Sequence, residues 1–235
     1  ETMAGIGVSL LSRRARESGD REVLGRCRCL LLKRAAFLLS LGFLDTFLWP
    51  GDILHFYAAY LGIAAALLAA SDRALWTSAA ASIAGFAALF FFLDYSAGWD
   101  WEKLRYAGMW SPRGFARHLL FNGYHPVLPW IAFLLVGMGL GRREWTAAAR
   151  TKLVLAGAAA VLASELVSAA AMPWAASDGG EEAQWCALFF GTQSMPPAPL
   201  YLVSGGGSAL VVIGGCLWAA ERWADRPFFK PFVAA

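Results

Sequence analysis

The 235 residues are 58% hydrophobic and only 16% charged, with a mean hydropathy of +0.51. A soluble domain carries roughly a quarter charged residues, so a soluble binding module and a nucleic-acid-binding protein are both excluded. The formal charge of +3 says less than where the charges sit.

The apolar segments are long, rich in Ala, Leu and Gly, and lack strand-like alternation. They predict an all-α, polytopic helical membrane bundle in one transmembrane domain over residues 1–235, rather than a barrel. The four cysteines, Cys27, Cys29, Cys186 and Cys216, have neither zinc nor redox spacing, and no metal is expected.

In chain order, residues 1–12 are too short to span, have no basic leader and do not begin with Met. They read as the end of a helix, a partial N-terminal helix of a longer protein. A dense basic connection follows with Arg13, Arg14, Arg16, Arg21, Arg26, Arg28, Lys33 and Arg34. About six full transmembrane helices are then predicted, near 29–48, 53–70, 74–93, 126–141, 152–172 and 199–220. With the Arg-rich loop 13–34 and the C-terminus on the cytoplasmic side, 16 of the 20 Lys and Arg residues fall inside. Only Lys103, Arg105, Arg113 and Arg117 fall outside, as positive-inside bias requires of a multi-pass cell-membrane protein bathed in membrane lipids.

The stretch LWPGDILHFYAAYLG, residues 48–62, interrupts this pattern with a Pro-Gly turn followed at once by Asp52 and His55. These are i and i+3, on one face of a first helical turn, where the orphan N–H groups favour an anion. Asp52 as a helix cap is one reading; an imidazole just inside a membrane helix faces protein or water rather than lipid. Residues 94–124, an outer loop, mix Trp99, Trp101, Tyr106, Trp110, Phe115 and Phe121 with charges, suiting an aromatic belt or the lining of a vestibule. The exit FNGYHPVLPW adds Asn122 and His125, and Gly137, Gly139 and Gly141 predict close helix packing. A second outer loop is expected over 173–197, acidic and without bases. Gly205–Gly207 weaken the last span or admit another helix. Glu165 is the most deeply placed carboxylate and is expected to face the bundle interior, as structure or as part of a polar path.

Three segments carry a resemblance: WPGDILHFYAAYLG, GYHPVLPWIAFLLVGMGLGR and MPPAPLYLVSGGGSAL, in this order. Together they resemble the transmembrane acyltransferase superfamily, with the likeness nearest to bacterial YeiB-like and heparan-alpha-glucosaminide N-acetyltransferase-like membrane proteins. The resemblance implies transfer of an acyl group, usually acetyl, from cytoplasmic acyl-CoA to an extracytoplasmic sugar or glycan acceptor. It also implies an upstream helix with arginine and a catalytic histidine, and a downstream helix pair, neither of which has a counterpart here. The family's histidine is therefore not carried onto His55 or His125.

The chain's own residues still offer a base, because acyl transfer must remove a proton and imidazole titrates near neutrality. His55 with Asp52, or His125, are the candidate catalytic groups. Arg13, Arg14, Lys33, Arg34, Arg142 and Arg143 suit the anionic nucleotide of acetyl-CoA, and equally suit positive-inside topology beside anionic lipid. The alternative is a non-catalytic multi-pass protein, a transporter element or a partner-binding subunit, with Asp52, His55 and Glu165 marking a solute or proton path.

Overall fold

The structure, a computed structural model, describes residues 1–49, 51–178, 180–223 and 226, with residues 177 and 178 described by backbone alone. Pro50 of the expected Pro-Gly turn and Lys230 of the basic tail lie outside the described residues. The chain forms two compact units, Glu1–Arg143 and Glu144–Ala235.

The first unit is built from α1 (Thr2–Ser18), α2 (Arg21–Asp45), α3 (Leu54–Ala66), α4 (Asp72–Leu89), α5 (Pro112–Arg117) and α6 (Val127–Leu140). A two-residue hairpin, β1 (Trp99–Asp100) with β2 (Arg105–Tyr106), precedes α5, and a π-helical turn, His118–Asn122, follows it. Local chemistry sets the ends. Gly19 closes α1 in the left-handed conformation, Asp20 caps α2 by accepting from the Glu22 and Val23 amides, and Ser71 and Ser111 cap α4 and α5.

Helix α2 packs on α3, while α1 and α4 pack on α6. The core comprises Phe56, Tyr60 and Leu68 from α3 and the turn after it, Leu75 from α4, and Leu134, Leu135 and Met138 from α6. The predicted role of the glycines in α6 holds: a Cβ on Gly137 would stand 2.0 Å from the Thr2 carbonyl oxygen. In the second unit, α7 (Ala147–Asp178) packs against α9 (Pro199–Trp223), with α8 (Glu181–Phe190) beside them. Gly207 does not break α9; it faces Gly157, and a Cβ there would stand 2.6 Å from the Gly157 carbonyl oxygen.

Each of the six expected spans contains a helix, but two, α7 and α9, are long and apolar enough to cross a membrane. A third candidate is the broken pair Pro112–Asn122 and Val127–Leu140, bent by 52°. Helix α2 carries Arg28, Lys33 and Arg34 within its length, α3 has only 13 residues, and α4 dilutes its apolar face with Thr77, Ser78 and Ser82. Large apolar side chains stand exposed along α2 (Phe37, Leu44), α7 (Leu155, Leu162, Leu166) and α9 (Val212, Trp218), the surface that lipid covers.

The stretches expected as loops are more ordered than their composition predicts. Helix α7 continues through Pro173, and α8 occupies the middle of 173–197, starting with Glu181 and Glu182 where the N-terminal dipole favours acids. Cys186, expected in that loop, is buried on α8. Glu165 keeps exposed surface, but its carboxylate faces α9, where it accepts from Ser204 Oγ at 3.0 Å, and it also accepts from Thr192 Oγ1 at 3.4 Å.

Candidate functional site

The turn between α2 and α3 delivers Asp52 and His55 into the first unit with side chains wholly buried. Asp52 does both things its position suggested. Its Oδ1 accepts from the Leu54 amide at 2.9 Å and its Oδ2 from the His55 amide at 3.2 Å, which satisfies two of the orphan donors that open α3. The same Oδ2 lies 2.5 Å from His55 Nδ1. With the Nδ1 proton shared with a carboxylate, His55 Nε2 is left as the lone-pair nitrogen, and it is buried with no hydrogen-bond partner. Space for this pair depends on Gly42 of α2, where a Cβ would stand 2.6 Å from the His55 amide nitrogen and 2.8 Å from Asp52 Oδ2.

Sequence reasoning missed the third histidine. His118 opens the π-helical turn, and its ring lies 5.5 Å from that of His55 at 22°. A π-turn adds a residue to one turn of helix and is found often at functional sites; here it buries His118, Phe121 and Asn122 together. The signal available was RHLLFN, which puts His118 and Asn122 at i and i+4 on one helix face. Around His118 lie Phe56 at 5.3 Å, Trp99 at 5.7 Å and Tyr106 at 4.8 Å between ring centroids. The β1–β2 hairpin thus covers the histidines, and it is anchored there. Trp99 Nε1 donates to the Asn122 carbonyl at 2.6 Å, and Asn122 Nδ2 donates to the Tyr95 and Ala97 carbonyls, each at 2.9 Å.

His125 does not join this cluster directly. Its carbonyl accepts from Tyr60 Oη at 2.6 Å, and its ring packs 5.1 Å from Trp130 and 6.5 Å from Phe56. The aromatic residues of 94–124 are divided between the histidine cover and the end of α2. Trp110 stacks on Phe47 at 5.3 Å, and Phe115 packs on Phe43 at 5.6 Å.

Of the six basic candidates, Arg142 lies beyond the far end of α3, Lys33 and Arg34 lie on α2 between its contacts with Ala65 and His55, and the six are not equivalent. Arg13, Arg14, Lys33, Arg34 and Arg143 are exposed, with Arg13 paired to Glu17 at 2.8 Å. Arg142 is committed inward: it donates to the Ala70 carbonyl at 2.6 Å, to Asp72 Oδ1 at 2.9 Å and to the Leu68 carbonyl at 3.3 Å. Arg28 Nε donates to the Ala65 carbonyl at 3.2 Å. Arg28 thus meets an orphan carbonyl of the last turn of α3, and Arg142 serves the carbonyls of the turn that joins α3 to α4. Burial, with the Arg142 guanidinium nearby, draws the pKa of Arg16 below its ordinary value. Among the described residues no group of three or more His, Cys, Asp or Glu side chains is placed to hold a metal.

No curated protein and no solved structure matches the chain. A family model described as heparan-alpha-glucosaminide N-acetyltransferase, catalytic, matches residues 2–171, a stretch that holds every residue of the histidine cluster and of the basic end. The match, well over half of the chain, joins the apolar helices and the motifs around Asp52 and His125 in one conclusion: this is a membrane protein of the heparan-alpha-glucosaminide N-acetyltransferase catalytic family, with an acetyltransferase-like character.

Proposed function

We propose that the protein is a multi-pass acyltransferase of the cell membrane that passes an acyl group, acetyl foremost, from cytoplasmic acyl-CoA to an extracytoplasmic sugar or glycan, with His55 as the base. The observation that carries this reading is the buried Asp52–His55 pair, 2.5 Å apart, with His55 Nε2 unpartnered. A carboxylate on Nδ1 fixes the tautomer and supports the imidazolium that forms when Nε2 takes a proton. The acceptor's amine or hydroxyl attacks the thioester carbonyl and gives its proton to Nε2. The C–S bond breaks, and the leaving thiolate recovers that proton. His125, one π-turn beyond His118, is placed as a contact for the acceptor rather than as the base.

In this reading the six predicted spans are α2, α3, α4, α6, α7 and α9, with α1 the partial N-terminal helix, and α2 and α3 enter the bilayer as a hairpin that carries Asp52 and His55. The basic residues then lie on the cytoplasmic side, and the exposed Arg13, Arg14, Lys33, Arg34 and Arg143 are available to coenzyme phosphates. Arg142, held by α3 and Asp72, braces that surface from beneath.

The test uses the full-length protein in membranes, radiolabelled acetyl-CoA and glucosamine, and three variants. Asp52→Asn keeps an acceptor for the Leu54 amide but offers N–H to His55 Nδ1, which moves the imidazole proton to Nε2 and removes the base. Asp52→Ala loses cap and base together, and His55→Ala loses the base with its buried ring. Turnover is expected to fall on the order of 10²–10⁴-fold in all three, with Asp52→Asn the one that leaves the thermal midpoint near wild type. Wild-type turnover in Asp52→Asn or His55→Ala rejects the reading.

A further inference from the structure

Where His55 and His118 stack, both rings carry a buried nitrogen without a hydrogen-bond partner. His55 Nε2 and His118 Nδ1 both lack a partner, and so does Asn122 Oδ1 on the same π-turn. His55 has no exposed surface, His118 keeps 2% and Asn122 none. Buried polar atoms are nearly always satisfied, so several orphans in one place mark a site that receives a polar group from outside the chain. The two imidazoles lie 5.5 Å apart between centroids, close enough for one small substrate group to reach both.

We propose that His118 is a second acceptor-binding histidine: His55 Nε2 and His118 Nδ1 together receive the nucleophilic amine or hydroxyl of the acceptor. This rests on the acyl-transfer reading above and adds a residue that touches substrate. His55 takes the proton, while His118 holds the attacking atom in line and is itself unchanged by the reaction. The sequence neighbours of His118 serve the same purpose. The π-turn brings it under His55, and Trp99 and Tyr106 of the hairpin seal its outer face. Entry of the acceptor therefore lifts the hairpin away from His118, and its return excludes water.

Two variants separate this role from packing. His118→Asn places an amide atom where Nδ1 stands but leaves the aromatic cage underfilled. His118→Phe fills the cage and removes both nitrogens. In the full-length protein, His118→Phe is expected to raise KM for glucosamine about tenfold, the loss of one hydrogen bond, with KM for acetyl-CoA unchanged. His118→Asn is expected to stay within about threefold of wild type. The reverse order, Phe active and Asn impaired, assigns His118 to packing and overturns the proposal.

A second measurement needs no turnover. With ¹⁵N-imidazole-labelled protein and glucosamine alone, the His55 and His118 signals are expected to shift together along one binding curve. A shift of His55 only, or of neither, overturns the proposal. A joint shift in a protein that transfers no acetyl group would leave the two-histidine site standing and remove the acyl-transfer reading instead.

Discussion

Gly42→Ala is the smallest change that reaches the histidine pair without touching it. A methyl group at this position would stand 2.6 Å from the His55 amide nitrogen, 2.8 Å from Asp52 Oδ2 and 3.1 Å from His55 Cβ. Ordinary van der Waals contact begins near 3.4 Å, so the first turn of α3 must move about 0.8 Å away from α2, and backbone cannot swing aside as a flexible side chain does. The stability effect is modest. Overpacking costs about 1–3 kcal/mol, and the better helix propensity of Ala over Gly offsets about 1 kcal/mol of it. The net loss of about 1 kcal/mol corresponds to a fall of about 2–4 °C in the thermal midpoint. The site is far less tolerant, because a displacement near 1 Å of a catalytic group reduces turnover by about 10²-fold. Acetyl transfer from radiolabelled acetyl-CoA and the thermal midpoint in detergent are measured on the same preparation. Gly25→Ala is the control, since it lies on the same helix with nothing within 4 Å of its added Cβ, and it is expected to leave activity unchanged with equal or higher stability. Gly42→Ala with half or more of wild-type turnover would refute the reasoning, as would equal losses in both variants.

The other predictions concern the supports of the two units. Arg142→Lys replaces a planar fork that serves the Leu68 and Ala70 carbonyls and Asp72 from two nitrogens with one compact ammonium, and is expected to lose about 1–3 kcal/mol and to expose the turn between α3 and α4 to limited proteolysis; Arg34→Lys, on an exposed side chain, is expected to leave stability unchanged. Gly207→Val drives a side chain into the Gly157 backbone and is expected to lower the thermal midpoint, whereas Gly215→Val, with nothing within 4 Å, is not. Glu165→Gln keeps one acceptor oxygen for the Ser204 hydroxyl and turns an N–H toward Thr192 Oγ1, which can accept it, so unchanged acetyl transfer and stability are expected; a selective loss of transfer would move Glu165 into the mechanism.

The helical order and the placing of Asp52 beside His55 were legible because both depend on local signals. Apolar length, a Pro-Gly interruption and an i,i+3 spacing need no knowledge of the rest of the chain. The glycines of α6 were legible for a similar reason, since runs of small residues in apolar helices usually meet another backbone. His118 was not legible. Its meaning comes from a π-turn and from a contact with a residue 63 positions earlier, and neither leaves a periodic trace. The loop 173–197 misled in the other direction: Pro173 and the acids Glu181 and Glu182 look like loop residues, yet α7 tolerates the proline and the acids open α8.

The short third helix connects these features to the transfer itself. At 13 residues and 1.5 Å per residue, α3 is about 20 Å long, against about 30 Å of bilayer hydrocarbon. His55 and Ala65, whose carbonyl meets Arg28, are ten residues and so about 15 Å apart along the axis. On the proposed orientation, with the basic end at the cytoplasmic headgroups, His55 would lie near the middle of the membrane rather than at its outer surface. Lipid cannot satisfy Asp52, His55, His118 and Asn122 at that depth, so the cover must be protein. Residues 94–125 supply it by folding inward: the hairpin seals His118, and the segment then turns through 52° between Pro112–Asn122 and Val127–Leu140 instead of crossing straight. Under the proposed function, an acyl donor held by the exposed basic residues would have to reach only half of the bilayer, and the acceptor would descend the other half past the aromatic residues. In that reading, the departure of α3 and α5–α6 from ideal spans is what would bring donor and acceptor to one imidazole.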